Sequence, residues 1–208
     1  MNEVKKGILL ILSGPAGSGK GTVVKEMMKI APEGYFAYSV SATTRAPRVG
    51  ETNGKEYFFI TKDTFEEKIA SDEMLEYAQY CGNYYGTPKA AVKEKLEQGI
   101  NVILEIEVQG AMAVKEKLPE ALAIMITPPD FPTLEARLRG RGTNTEEDIC
   151  NRLARSREEL MLLSNYDYVV VNRDNGVTEA AEQILTILQA QQCATKRNLD
   201  FYDRFFGQ

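Results

Sequence analysis

The sequence predicts an α/β fold in which a parallel sheet is flanked by helices. Short apolar runs at 7–12, 101–106, 121–126 and 168–171 have the length and composition of buried strands. Stretches with helical periodicity alternate with them, as expected for a parallel sheet covered on both faces. The segment 38–95 breaks this alternation with short strands, turns and one helix. We therefore expect a small α+β insertion there, within a core made of 1–37 and 96–208.

Local signals place the individual elements. Thr61 is an expected N-cap, Pro88 stands where a helix would begin with Gly99 just past its end, and Thr145 with Asp148 forms a capping box. The predicted helices are 20–30, 62–70, 88–98, 109–117, 131–141, 145–164 and 177–191. The further predicted strands are 35–40, 57–60 and 74–80, and Asn83–Gly86 is predicted to be a turn.

Composition excludes several kinds of chemistry. The 208 residues include no histidine, which rules out a Ser-His-Asp triad, a Cys-His pair and an imidazole metal site. Cys81, Cys150 and Cys193 are widely spaced and odd in number, which favours a reducing compartment over a disulfide framework. The net charge of −5 argues against a nucleic-acid partner, and no run is long enough to span a membrane. We expect a cytoplasmic protein, whose oligomeric state the sequence leaves open.

A glycine-rich loop after the first strand is the strongest functional signal. Gly14-Pro15-Ala16-Gly17-Ser18-Gly19-Lys20-Gly21-Thr22 nearly fits G-x-x-x-x-G-K-[ST], the loop whose backbone N–H groups wrap nucleotide phosphates. Lys20 would reach the terminal phosphates. The residue after it is Gly21, so the hydroxyl expected to serve Mg²⁺ comes one position later, at Thr22. The alternative is a glycine-rich turn with a surface lysine.

A second polar loop, Ser41–Glu51, has the composition of an anion site. Arg45 and Arg48 lie close together, flanked by hydroxyls and stiffened by Pro47, and guanidinium groups match phosphate oxygens two at a time. A solvated basic loop or an RNA contact would have similar composition. Further on, Glu76 lies in a predicted strand among apolar neighbours, where the alternative is an exposed acid on an edge strand.

These motifs together resemble the guanylate kinase family, and the resemblance extends over nearly the whole chain. It covers the phosphate loop, Ser41–Glu51 and a series of later segments. These are 53–57, 73–79, 82–87, 104–110, 137–152 and 168–172. The resemblance implies a P-loop kinase core, an inserted GMP-binding region at 38–95 and a helical lid at about 134–156. It also implies transfer of the γ-phosphoryl group of ATP to GMP, with Mg²⁺, leaving open how well dGMP is accepted.

The resemblance assigns roles residue by residue. The GMP phosphate would be held by Arg45, Arg48, Tyr57 and Tyr85, and the guanine would be read by Ser41, Glu76, Thr87 and Glu107. The base chemistry is consistent with this, because a carboxylate accepts from guanine N1–H and N2–H₂ while a hydroxyl such as Ser41 or Thr87 can donate to O6. An ionised carboxylate would repel the acceptor N1 of adenine.

Two acidic residues, Glu105 and Glu107, follow the apolar stretch Val102–Leu104 and alternate with Ile106. Carboxylates at the end of a core strand beside a phosphate loop commonly orient Mg²⁺ or its waters, which we expect of Glu105. Glu107 stands where the family usually has aspartate. A structural ion pair is the alternative for both residues.

Arginines crowd the segment 137–155. The resemblance implies that Arg137, Arg141 and Arg152 reach the transferring phosphates when the lid closes, so that with Lys20 and Arg45 they form the expected catalytic set. For Arg139 and Arg155 a charged helix face is an equal alternative, laced by pairs such as Asp148–Arg152. Asn172 is expected near the adenine of ATP.

Two other functions remain open at this point. A guanylate-kinase-like interaction module keeps the fold and binds peptides, but such modules typically lack a working phosphate loop. A P-loop kinase for another nucleoside monophosphate, such as AMP, shares the Gly-Lys-Gly-Thr stretch, and Glu76 with Ser41 and Thr87 argues against it. A regulatory GTPase is disfavoured because no Asn-Lys-x-Asp signature occurs.

Overall fold

A computed structural model describes residues 5–80, 82–140 and 145–207. Its strands are β1 (Leu9–Ser13), β2 (Phe36–Tyr38), β3 (Ala42–Thr43), β4 (Phe58–Phe59), β5 (Met74–Tyr80), β6 (Asn83–Pro88), β7 (Asn101–Glu105), β8 (Leu122–Thr127) and β9 (Tyr168–Val171). Its α-helices are α1 (Lys20–Ile30), α2 (Lys62–Ala70), α3 (Lys89–Glu97), α4 (Val108–Lys117), α5 (Phe131–Gly140), α6 (Glu146–Met161), α7 (Val177–Gln192) and α8 (Phe201–Phe206).

The predicted parallel core sheet is confirmed. Its order is β2-β7-β1-β8-β9, and every pairing in it is parallel. All five residues of β1 are buried, as expected of a central strand covered on both faces. Because the strands are parallel, the segments that follow β1, β7 and β9 lie at the same edge of the sheet. Ligands of such sheets bind at this edge, beyond the carboxyl ends of the strands.

Each face of the sheet has its own apolar cluster. One joins alternate residues of β1, such as Leu10 and Leu12, to α1 and α7. The other joins Leu9 and Ile11 to α3 and α4. Helix α3 thus packs on the core sheet through Val92 and Leu96, although its first residues fall inside the predicted insertion.

A second sheet, of order β4-β3-β6-β5, lies within the predicted insertion. The turn predicted at Asn83–Gly86 is wrong, because these residues belong to β6, which pairs with both β3 and β5. Turn-forming residue types masked a strand that pairs with the adjacent β5 and with the distant β3. The predicted helix 62–70 is confirmed, and Thr61 accepts a hydrogen bond from Thr64 N as its N-cap.

Helices α5 and α6 pack together through Leu134, Leu138, Ile149 and Leu153. The predicted capping box is present, since Thr145 accepts from Asp148 N and the Asp148 carboxylate accepts from Thr145 N. Arg141 lies outside the described residues, as does Cys81.

The C-terminal segment ends in the short helix α8, whose four aromatic side chains are exposed. In the described part of the chain, no helix is long and apolar enough to cross a membrane.

Candidate active site

The phosphate loop joins β1 to α1, where the sheet edge and the helix N-terminus meet. Gly14 and Gly19 have φ of +142° and +82°, conformations that side chains rarely adopt. A Cβ on Gly14 would collide with the Ile126 carbonyl oxygen of β8, so this position also requires close backbone approach. Lys20 Nζ donates to the carbonyl oxygens of Gly14 and, at 3.3 Å, of Pro15, which folds its side chain back along the loop.

Asn172 braces this loop from the end of β9. Its Nδ2 donates to Ser18 O at 2.8 Å, and the side chain is only 3% exposed. Arg137 in turn donates to Asn172 O at 2.9 Å and to Asp174 Oδ1 at 2.7 Å. The residue predicted to lie near adenine therefore also positions the phosphate loop, and Arg137 holds the segment that follows it.

A cavity of about 500 Å³ opens beside the brace. Its lining residues are Gly17, Gly19, Thr22, Arg137, Asn172, Arg173, Asp174, Asn175 and Val177. This volume falls within the range of small-molecule sites. Arg137 contributes a buried Nη1 that has no hydrogen-bond partner among the described residues, so a donor remains available at this wall.

The two residues predicted for magnesium are placed differently. Thr22 lines the cavity described above, whereas the carboxylate of Glu105 lies over Gly21: a Cβ built there would be 3.3 Å from Glu105 Oε1. The described residues hold no cluster of three or more acidic, cysteine or histidine side chains able to enclose a metal. Mg²⁺ needs no such cluster, because it is usually bound by one or two carboxylates together with waters and substrate phosphates.

Sequence reasoning missed Tyr38, which contacts Glu105. The Tyr38 phenol donates a 2.7 Å hydrogen bond to Glu105 Oε2. Burial, followed by this hydrogen bond, raises the pKa of Tyr38 well above its ordinary value, so the phenol keeps its proton. The residues are 67 positions apart and meet because β2 and β7 are neighbours in the sheet, which no local pattern indicates.

The second sheet carries a buried acid. Glu76 is 9% exposed, and its Oε1 accepts a 2.7 Å hydrogen bond from Thr87 Oγ1. The pairing of β5 with β6 shifts register between Met74 and Tyr77, an irregularity that can redirect a side chain. Burial raises the pKa of Glu76, and the hydrogen bond from Thr87 offsets part of that effect.

This contact changes the role expected of Thr87. A hydroxyl has one proton to donate, and Thr87 gives it to Glu76. Ser41, the other hydroxyl residue expected to contact the base, lies just before β3. Its carbonyl oxygen accepts from Phe58 N at 2.8 Å, which fixes the backbone at this position.

Glu51, to which the sequence assigned no role, holds the arginines that are predicted to bind the phosphate. Arg45 makes a two-pronged contact with Glu51, with both N–O distances 2.9 Å, and Glu51 also accepts from Arg48 N at 2.7 Å. Hydrogen bonds from Arg45 and Arg48 hold the pKa of Glu51 below its ordinary value. The spacing of Glu51 from Arg45 within one loop could have suggested the pair.

Two phenols complete this corner. The rings of Tyr57 and Tyr85 lie 6.0 Å apart, and the Arg45 guanidinium carbon lies 5.5 Å from the centre of the Tyr57 ring. The Arg48 side chain is exposed. The structure thus brings Arg45, Tyr57 and Tyr85 together and leaves Arg48 at the rim.

Glu107 differs from its expected setting. It is the N-cap residue of α4, its side chain is 69% exposed, and its Oε2 lies 3.3 Å from Arg155 Nη2. The ion pair considered as the alternative is therefore formed at Glu107. Arg155 also contacts Glu159, at 3.2 Å. Burial, followed by repulsion from the Glu107 carboxylate, raises the pKa of Glu159.

Two further arginines of α5 and α6 differ in their contacts. Arg139 pairs with Glu135 and Glu146, which fits a charged helix face. Arg152 is exposed and forms no ion pair with another described residue. Asp148 and Arg152, both described, form no ion pair with each other. The Asp148 carboxylate instead accepts a hydrogen bond from Thr145 N at the start of the helix.

The chain is similar to known proteins over nearly its whole length. The family model described as guanylate kinase matches residues 6–191. The guanylate kinase of Streptococcus thermophilus (strain CNRZ 1066) is 51% identical over 198 residues, covering 95% of this chain and 93% of the relative. That of Streptococcus pyogenes serotype M3 (strain ATCC BAA-595 / MGAS315) is 48% identical over 200 residues, covering 96% and 93%.

A solved structure agrees as well. The crystal structure of guanylate kinase from Anaplasma phagocytophilum is 32% identical, with a TM-score of 0.69, over 93% of this chain and 90% of that one. With a braced phosphate loop at the core sheet, a buried acid in the second sheet and these matches over nearly the full length, the chain belongs to the guanylate kinase family.

Proposed function

We propose that this protein transfers the γ-phosphoryl group of ATP to GMP, giving ADP and GDP. The observation that carries the choice of acceptor is the buried Glu76 carboxylate held by Thr87. Guanine presents N1–H and N2–H₂ as donors on one edge, and a fixed carboxylate accepts from both. Ser41 donates to O6. Glu107 contacts the outer side of the base after its ion pair with Arg155 opens.

The phosphate of GMP binds at the corner formed by Arg45, Tyr57 and Tyr85, with Arg48 closing the rim. Glu51 uses two of the guanidinium N–H groups of Arg45 and thereby fixes the plane of the fork. Fixing the fork before binding reduces the side-chain entropy lost when the phosphate arrives. The phenols donate to the remaining phosphate oxygens.

ATP binds along the loop Gly14–Thr22, with its phosphates on the backbone N–H groups and on the positive end of α1. Thr22 and Arg137 reach the nucleotide from the cavity, and Asn172 keeps the loop in position through Ser18. Glu105 and Thr22, together with the nucleotide phosphates, would hold Mg²⁺ directly or through water. When bound, the ion neutralises charge on the β- and γ-phosphates.

Transfer is an in-line displacement. An oxygen of the GMP phosphate forms a bond to the γ-phosphorus as the bond to the β,γ-bridging oxygen breaks, and ADP leaves with that electron pair. The nucleophile is already anionic, so no side-chain base is needed. Lys20, Arg137, Arg141 and Arg152 neutralise the charge spread over the transferring group, with Arg45 fixing the acceptor.

A coupled assay of ADP release with ATP and GMP tests this proposal. Wild-type protein should turn over, and Lys20→Ala should lower kcat by roughly 10²–10³-fold, the usual loss for one charge-stabilising donor. Lys25→Ala removes an exposed lysine from the same helix and should leave kcat unchanged. Unchanged turnover in Lys20→Ala, or no turnover in the folded wild type, would contradict the proposed reaction.

A further inference from the structure

The two oxygens of the Glu105 carboxylate have different neighbours. Oε2 accepts the 2.7 Å hydrogen bond from the Tyr38 phenol. Oε1 lies on the side of the phosphate loop, 3.3 Å from the position of a Cβ at residue 21. One oxygen is therefore committed to β2, and the other faces the first turn of α1.

The sheet fixes this geometry. Tyr38 pairs with Ile103 in the parallel register of β2 and β7, and Ser39 N donates to Ile103 O at 3.0 Å just beyond. The phenol then reaches along the strand to Glu105, at the carboxyl end of β7. Turning the carboxylate out of its plane would break the hydrogen bond, so Tyr38 keeps one of the two equivalent oxygens directed toward the loop.

Glycine at position 21 fits the same arrangement. The motif G-x-x-x-x-G-K-[ST] places a hydroxyl here, but a side chain on residue 21 would press against Glu105 Oε1 at a distance tighter than ordinary van der Waals contact. The carboxylate thus occupies the space beside the loop into which a serine or threonine at 21 would extend.

We propose that Tyr38 is a positioning residue, which holds Glu105 so that its free oxygen serves the metal–nucleotide in place of the hydroxyl missing at Gly21. This inference rests on the proposed function only in taking ATP with Mg²⁺ as the ligand. An oxygen fixed in advance is a better partner for Mg²⁺ or for one of its waters than a freely rotating carboxylate, because less freedom is lost on binding.

The alternative is a hydrogen bond that only ties β2 to β7. The two roles differ in their dependence on the metal. A structural tie would change stability and affect ATP binding equally with and without Mg²⁺. A positioning role changes only the part of ATP affinity that Mg²⁺ adds.

Calorimetric titration of ATP, with Mg²⁺ and with chelator, separates these roles. In Tyr38→Phe we expect the Mg²⁺-dependent gain in affinity to fall about 10-fold, the scale of a hydrogen bond to a charged group, while ATP binding in chelator is unchanged. Tyr35→Phe, just before the same strand β2, removes a phenol that accepts a hydrogen bond from Gln192 and should leave both affinities unchanged.

A double-mutant cycle with Glu105→Gln completes the test. If Tyr38 acts through Glu105, Tyr38→Phe should have no further effect in the Glu105→Gln background. An equal Mg²⁺ gain in wild type and Tyr38→Phe, or an undiminished effect in the Glu105→Gln background, would overturn the inference. A wild type whose ATP affinity does not respond to Mg²⁺ would overturn it too.

A second variant and the absence of GMP make the result interpretable if Tyr38→Phe or the proposed acceptor fails. If Tyr38→Phe does not fold, Tyr38→Leu also removes the hydroxyl that Glu105 accepts from, and the same loss of Mg²⁺ gain is expected. Because the titration contains no GMP, failure of the proposed acceptor leaves its result unaffected. A protein that fails to phosphorylate GMP but shows the Tyr38 effect would refute the acceptor assignment alone.

Discussion

Thr87 donates a 2.7 Å hydrogen bond to Glu76, and both side chains are buried in the second sheet. The contact orients one carboxylate oxygen and leaves the other near Gly110 of α4, where a Cβ would be 3.2 Å from Glu76 Oε2. A fixed acceptor at the junction of the insertion and the core is well placed to select the base.

Replacing this acid should reduce guanine recognition. Glu76→Gln keeps the size but loses the charge, so we expect kcat/KM for GMP to fall about 10- to 100-fold, as for a hydrogen bond to a charged group. Discrimination against AMP should weaken at the same time, because an amide can also donate to adenine N1. Steady-state kinetics with both acceptors measures this.

Glu73→Gln is the matched control, since Glu73 is an exposed acid just before the same strand and pairs with Lys68. A fall in GMP turnover of similar size in Glu73→Gln would show that charge near β5, and not the buried contact, matters.

The raised pKa of Glu76 gives a pH dependence. Burial favours the protonated form, so GMP binding should weaken on acidification at a pH above 4.5, the ordinary value for glutamate. In Glu76→Gln only this contribution should be absent, leaving the weakening caused by protonation of the GMP phosphate, whose second pKa is about 6. Titration of GMP binding by calorimetry between pH 7 and roughly pH 4.5 checks it. Parallel profiles for the two proteins would argue that another group controls the pH dependence.

The Arg45–Glu51 contact should matter for binding and for acid stability. Glu51→Gln weakens the charge-assisted fork, so the KM for GMP should rise about 10-fold. The pKa of Glu51 is lowered in the folded state, so its stabilising effect is present above pH 4.5 and is lost as the pH falls through the folded value.

Thermal unfolding measures the second effect. The Tm difference between wild type and Glu51→Gln should be largest near neutral pH and should close below pH 4.5. A difference that stays constant across this range would mean that the pair contributes nothing through its charge.

Asn172 is predicted to affect ATP through the loop it braces. Asn172→Ala leaves Ser18 O without its donor, which should cost about 1–3 kcal/mol of stability and raise the KM for ATP. The KM for GMP should change little. Asn151→Ala, an exposed asparagine on α6, is the control for amide removal, and an equal loss of stability there would exclude a specific brace.

Local patterns were sufficient where the determinants lie within a few residues. The capping box at Thr145 and Asp148 and the N-cap at Thr61 were predictable because each involves residues three positions apart. The buried parallel strands were predictable because apolar runs such as 101–106 must be covered on both faces.

Long-range contacts were not predictable in this way. Tyr38 and Glu105 meet only after β2 and β7 pair. The strand β6 was mistaken for a turn because its residue types favour turns, and its pairing with the distant β3 is not visible locally. The hydrogen bond from Thr87 to Glu76 joins residues 11 positions apart on paired strands, which no local pattern indicates. The family resemblance indicated which residue types to expect at the site without indicating which neighbours hold them.

The choice of GMP as acceptor can be measured against other nucleoside monophosphates in one assay. ADP release should be measured with ATP and each of GMP, dGMP, AMP, UMP and CMP at equal concentration. We expect GMP to exceed AMP by about 10⁴-fold in kcat/KM, since a site built around Glu76 leaves polar groups unpaired with adenine. Faster turnover of AMP than of GMP, or no turnover of any acceptor, would contradict the account.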